Sequence, residues 1–244
     1  MRCPHNYYTD CEVDCHQVDT SGMDKPVECQ KCSNLNPRIC FLIMTFDREQ
    51  SCQRLVDSLQ GIGDIFVLND GSRYDIKGCY YFSQTKHLGK PGYWRTVNNL
   101  WSLPYKEYDF YFMIPDDFLP VDDFVKKTIG IWSSIKDRGK ICINTYRDPV
   151  PRERCWTNVE PVEFGTYRKT QWVDMCFMCE KLFFQRVGII PKISYNWQKD
   201  PLKSSGVGSY ISLKLHRAGL SIYQTKETMF TAQEAHNTSK MNAR

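Results

Sequence analysis

The 244-residue chain carries 32 basic and 28 acidic residues for a formal net charge of +4, and 41% of its positions are hydrophobic. That composition excludes disordered and collagen-like classes, and so mild a charge does not make a nucleic-acid binder, though it suits anionic ligands such as nucleotide phosphates. No apolar run approaches the ~20 residues that span a bilayer, and the start Met1-Arg2-Cys3-Pro4-His5 is not a signal peptide, so a soluble, cytoplasmic chain with one catalytic-size domain and a small appendage is expected.

The appendage is where the cysteines gather. Six of the twelve lie in the first 40 residues, and a stretch with so few aliphatic side chains needs a staple to hold a fold. Cys11-x3-Cys15 and Cys29-x2-Cys32 are two close thiolate pairs with the spacing of a four-sulfur structural zinc site. Cys3, His5 and His16 are alternative ligands, and free thiols are the competing reading. The expected division is a zinc-binding segment over 1–36 and a catalytic domain over 37–244.

The domain then alternates strand and helix. Ile39–Thr45 is a continuous apolar run, as in a strand buried on both faces. Cys52, Leu55, Val56 and Leu59 follow at helical spacing, and Gly61-Ile62-Gly63 stops that helix. Asp64–Leu68 is a second buried strand, ended by the turn Asn69-Asp70-Gly71-Ser72. The unit is βαβ, so a parallel sheet is predicted, with ligands bound beyond the carboxyl ends of its strands. Further on, the pattern predicts a helix around Trp94–Trp101, a strand Asp109–Ile114 cut off by Pro115-Asp116-Asp117, a helix from about Asp122 to Ser134, and a strand Ile141–Thr145. The proline-containing stretch Asp148–Lys169 reads as an excursion over the active face. A strand Trp172–Cys179, helices Glu180–Val187 and Gly208–Ala218, and a strand Leu220–Gln224 complete the series.

Two of these strand ends carry acids: Asp70, and the pair Asp116 and Asp117. Each alone is ordinary turn or helix-cap chemistry. Together at one sheet edge they repel unless a cation compensates, which suggests a nucleotide bound with a divalent metal.

On these residues the chain resembles the GT-A-fold glycosyltransferases over about Ile39 to Asn242. Thr45-Phe46-Asp47-Arg48 resembles the turn that receives the nucleotide base, and Val67–Ser72 resembles the turn whose aspartate, here Asp70, hydrogen-bonds uracil or ribose. The resemblance places Arg95, in the stretch Gly89–Asn99, near donor phosphate or sugar. It sets Ile114-Pro115-Asp116-Asp117 at the DxD position, with Asp117 as ligand of Mn2+ or Mg2+ and Asp116 as sugar or metal contact. Inverting relatives carry an acidic base at the start of a late helix, where this chain has Gly206-Val207-Gly208-Ser209; Asp200 is the candidate base, with Asp174 and Glu180 as alternatives and a retaining mechanism open. His236 and Lys240 in the tail would close on the metal and the diphosphate.

The implied activity is metal-dependent transfer of a sugar from a UDP- or GDP-linked donor. The basic, aromatic-rich excursion, with Arg152, Arg154, Trp156 and Trp172, makes a hydroxymethylated base in DNA, as in a viral DNA-modifying enzyme, one candidate acceptor, beside saccharide and lipid-linked ones. The alternative is a non-catalytic GT-A-like module recruited by its zinc segment. A nucleotidyltransferase is disfavoured, because no phosphate-cradling Gly-rich loop of the required spacing is present.

Overall fold

β1 (Ile39–Thr45) lies within the large sheet, and six of its seven residues are buried. It pairs in parallel with β2 (Asp64–Asn69) on one side and with β4 (Phe110–Pro115) on the other. The computed structural model describes residues 37–146, 162–193 and 206–233. The zinc proposal at Cys11, Cys15, Cys29 and Cys32 and the 1–36 division therefore fall outside the described residues, as do Asp200, His236 and Lys240.

Alternation along β1 sends its side chains to two cores. Ile39, Phe41 and Ile43 pack with Cys52, Leu55, Val56 and Leu59 of α1 (Glu49–Leu59). Cys40 and Leu42 face Val97 and Leu100 of α2 (Gly89–Trp101). A helix on each face explains why the strand reads as an unbroken apolar run. Truncating a residue such as Leu42, 1% exposed, would cost about 2–5 kcal/mol.

The remaining elements are β3 (Tyr80–Ser83), β5 (Phe118–Pro120), α3 (Phe124–Ser134), β6 (Lys140–Asn144), β7 (Tyr167–Thr170), β8 (Phe177–Cys179), α4 (Lys181–Val187), α5 (Val207–Arg217), β9 (Ser221–Thr225) and β10 (Phe230–Ala232). The large sheet has the order β3-β2-β1-β4-β8-β6-β9-β7, and β5 and β10 form a separate antiparallel pair. The expected α/β architecture is present, mostly parallel, with helices on both faces. Among the described residues no helix is long and apolar enough to cross a membrane.

Two expectations are corrected. The strand predicted over Trp172–Cys179 is confined to Phe177–Cys179 and runs antiparallel to both β4 and β6, because residues 172–175 are held by side chains rather than by a ladder. The stretch taken as an excursion ends in β7, which pairs antiparallel with β9. β3, at the other sheet edge, pairs only with β2, and Tyr80 and Phe82 stand exposed on it.

Candidate active site at the carboxyl edge of the sheet

β2 ends in a turn closed by its own Asn69, whose Oδ1 accepts from Ser72 N at 2.8 Å and whose Nδ2 donates to Ser72 O at 3.0 Å. Asp70 follows, 6% exposed. Its carboxylate accepts from Gln84 Nε2 at 2.8 Å, from the backbone N–H groups of Leu88 at 3.1 Å and Gly89 at 3.3 Å, and from Thr96 Oγ1 at 3.4 Å. His87 Nδ1 lies 2.9 Å away. Asp70 thus caps the start of α2 from a neighbouring strand, satisfying N–H groups that no residue of the helix itself caps. Burial outweighs these donors and holds its carboxyl above the usual carboxylate range. Both oxygens of Asp70, expected at uracil or ribose, have partners within the fold.

The close approach depends on Gly71. Its φ of +92° suits glycine, and a Cβ there would lie 2.4 Å from His87 N. The His87 ring stacks on Phe46 from the β1–α1 turn, with centroids 3.5 Å apart and planes 14° from parallel.

β4 ends in the acidic pair, in the turn leading to β5. Asp116 Oδ2 accepts from Thr45 Oγ1 at 2.8 Å, and Thr45 Oγ1 in turn lies 2.6 Å from Tyr74 OH. One nitrogen of Arg48, Nη1, sits 3.0 Å from Asp116 Oδ1 and 2.6 Å from Asp117 Oδ2. Burial, with Asp117 adding to it and Arg48 opposing, raises the Asp116 carboxyl to about 6. Burial alone would lower the Arg48 pKa, but the two carboxylates reverse that and raise it. Of the two residues expected at the nucleotide base, Thr45 buttresses Asp116 and Arg48 bridges the acidic pair. Asp116 is the inner acid, with its side chain 5% exposed against 10% for Asp117.

Asp117 is also fixed from behind. Gln233, just after β10, donates its backbone N–H to Asp117 O at 2.8 Å, and its Nε2 reaches Phe118 O at 3.1 Å and Ser51 O at 2.9 Å. The last described residue therefore touches the turn that carries the outer acid.

The antiparallel course of β8 brings residues 172–176 to this same edge, since Phe177 pairs with Met113 near the end of β4. Asn144 orders the segment: its Nδ2 donates to Trp172 O at 2.7 Å and its Oδ1 accepts from Asp174 N at 3.0 Å. Ser212 of α5 accepts from Val173 N at 2.8 Å. Gly208, in the first turn of α5, packs so closely here that a Cβ would lie 2.7 Å from Val173 O. At Gly208, one of the four positions where the resemblance would set an acid, backbone thus leaves no room for a side chain. Asp174 is the base candidate that the structure puts at this edge. Glu180 lies beyond the opposite end of β8, where it accepts from Trp132 Nε1 at 2.7 Å.

On α2, Tyr93 is the side chain that senses the acids: burial, then Asp174 and Asp116, pushes its phenol well above the ordinary value. Arg95 is exposed and forms no ion pair among the described residues. Gln84, His87, Tyr74 and Asn144 had no signal in the sequence, because each acts through a partner distant along the chain.

No group of three or more His, Cys, Asp or Glu side chains among the described residues is arranged to hold a metal. Mg2+-type ions do not need one, since they take one or two protein carboxylates and complete their shell with substrate phosphates and water. Two carboxylates in one turn fit that requirement.

No family model matches the sequence, and no curated protein sequence aligns with it. Solved structures do match. Glucosyl-3-phosphoglycerate synthase from Mycobacterium tuberculosis, in complex with phosphoglyceric acid, superposes with a TM-score of 0.51 and 16% identity over 84% of this chain and 76% of that one. The same enzyme with Mn2+, uridine diphosphate and glucosyl-3-phosphoglycerate gives the same values. The fold is GT-A. S. aureus TarS 1-349 matches it with a TM-score of 0.50 and 11% identity over 80% of this chain, which spans only 60% of that one. At these identities the likeness is one of fold.

Proposed function

We propose that this chain transfers a sugar from a UDP- or GDP-linked donor to an acceptor hydroxyl, with Mn2+ or Mg2+ held at Asp117. The observation that carries the reading is the acid pair with its guanidinium, set beyond the carboxyl ends of β1 and β4, where open α/β sheets bind ligands. The Mycobacterium enzyme of the same fold was solved with Mn2+ and uridine diphosphate, which supports the choice of cofactor and donor.

In the reaction the bond between the anomeric carbon and the diphosphate oxygen breaks, the electron pair leaving with the diphosphate, and the acceptor oxygen forms the new bond to that carbon. A bound divalent cation would neutralise the departing charge. Asp117 would hold it, Asp116 would keep Arg48 at hand, and Arg48 would supply a second positive charge against the diphosphate. The acceptor proton would pass to Asp200 or its alternative Asp174 if attack inverts the anomeric centre, and to the leaving diphosphate if configuration is retained.

The tail completes the reading. Gln233 is bonded to the Asp117 carbonyl, and His236 comes three positions later in the sequence. We assign His236 as a further metal ligand and Lys240 as a diphosphate contact. The four N-terminal cysteines are proposed to hold structural zinc, and metal analysis before and after chelation tests that assignment. The acceptor class stays at a hydroxyl, with hydroxymethylated DNA as one arm of the assay.

The test is a thermal-shift screen of UDP- and GDP-sugars with and without Mn2+, followed by transfer assays on oligosaccharides and on modified DNA. The expected result is metal-dependent stabilisation by one donor and release of its nucleoside diphosphate. Stabilisation without turnover on any acceptor would favour the non-catalytic module. A screen in which no nucleotide sugar shifts the melting temperature would refute the transfer reading.

A further inference from the structure

Arg48 holds Oδ2 of Asp117, one of the two carboxylate oxygens through which that residue would ligate a cation. Its Nη1 lies 2.6 Å from Asp117 Oδ2, whereas Mg2+-type ions bind carboxylate oxygens at ~2.0–2.1 Å, so both positive groups would crowd one oxygen. The guanidinium is not a loose surface charge. Its side chain is 24% exposed and its second contact, to Asp116 at 3.0 Å, is backed by Thr45. Its backbone N–H bonds Tyr74 OH at 3.2 Å at the entry to α1. Arginine stays protonated at any working pH, so it cannot yield by losing a proton.

We propose that Arg48 is a built-in competitor for the metal position, keeping divalent cations off Asp117 until the diphosphate of the donor draws the guanidinium away. The inference rests on the nucleotide-sugar reading and adds an order to it: metal and donor bind together, and free metal does not load the site first. The charges explain why the exchange runs one way. The pair with Arg48 carries net −1, so the site attracts a cation yet already contains one. A diphosphate offers the guanidinium the bidentate acceptor geometry that it prefers, and it brings phosphate oxygens to the metal at the same moment. Asp116 retains its hold on Arg48 throughout, so the side chain pivots instead of leaving. Arg48 is thus a positioning residue for the metal ligand, with a role in binding order.

The test measures Mn2+ alone, with no nucleotide, by the EPR signal of the free ion. Wild type is expected to bind weakly, and Arg48→Gln roughly 10- to 100-fold more tightly, the equivalent of releasing one charge-assisted hydrogen bond from Asp117. Adding Asp117→Asn to Arg48→Gln should erase the gain. Arg48→Lys keeps the charge on a more flexible stem that is not pre-organised against the two carboxylates, so a smaller gain is expected, and it stands in if the glutamine variant does not fold. Affinity within twofold of wild type in the folded variant, or a gain that survives Asp117→Asn, overturns the proposal. The two readings fail separately. If no nucleotide sugar stabilises the chain yet Arg48→Gln still gains Mn2+, the competition stands and the donor assignment falls; if a donor stabilises the chain without any such gain, the competition alone falls.

Discussion

β1 has an acid-bearing strand on each side, β2 with Asp70 and β4 with Asp116 and Asp117, and the two ends handle their negative charge differently. After β2, five donors from the fold converge on one carboxylate, two of them backbone N–H groups at the start of α2. After β4, two carboxylates share a single guanidinium nitrogen. Fixed backbone donors cannot be exchanged for a ligand without unwinding a helix end. A side-chain cation can. Proximity to the crevice is therefore a poor guide to function, and the identity of an acid's present partners is a better one.

The difference is broken most sharply at Asp117. Asp117→Ala should reduce transfer by at least ~100-fold, the scale of losing a main electrostatic stabiliser of the leaving group, with little change in melting temperature. Sugar-nucleotide turnover measured beside a thermal melt checks both halves. Asp70→Ala should show the reverse weighting, a loss of about 1–3 kcal/mol in denaturant stability from orphaned donors and a lost cap. If Asp70→Ala leaves stability unchanged, the capping assignment is wrong.

Gly208→Asp probes the acceptor side. If the site lacked only an acid, the substitution would install one and raise the rate. The 2.7 Å approach of a Cβ to Val173 O predicts instead a destabilisation of about 1–3 kcal/mol from overpacking and no gain in turnover, read by chemical denaturation and by initial rates.

Asp70→Asn sharpens the contrast through pH. Burial raises the Asp70 carboxyl in the fold, so the folded protein holds this proton more tightly than the unfolded chain does. Its contribution to stability is complete below the unfolded value of ~3.9 and is lost as pH rises through the higher folded value. The asparagine variant should lack that decline, giving a flatter stability profile across mildly acidic pH. Smallest of all is Glu180→Gln: an amide oxygen still accepts from Trp132 Nε1, so transfer rates should stay within about twofold, in keeping with a position outside the site. A large rate loss would return Glu180 to the list of bases.

How much of this was legible in the sequence follows from range. Ile39–Thr45, Cys52–Leu59 and Asp64–Leu68 declare themselves because burial on one or both faces writes a periodicity into a few consecutive residues. The acids at the ends of β2 and β4 were visible as punctuation. β3, β5 and β10, only three or four residues each, are too short for a pattern, and the direction of β8 is set by its neighbours β4 and β6. The partners of the acids were hidden for the same reason: Asp70 meets Gly89 across 19 positions and Arg48 meets Asp116 across 68. Local pattern thus located the carboxylates and left their employment to the tertiary structure.

The pairing of β10 with β5 sets Phe230 opposite Pro120, so a strand beside Asp117 waits for a partner some 110 positions downstream. During synthesis the β1–β2–β4 frame can close before that partner exists, since domains assemble as their segments emerge from the ribosome. The turn bearing Asp117 gains its backbone bond from Gln233 only when that residue arrives. The candidate centre is consequently the late-maturing corner of the domain, and a nascent chain stopped short of β10 is expected to be folded elsewhere but not yet competent to hold a donor.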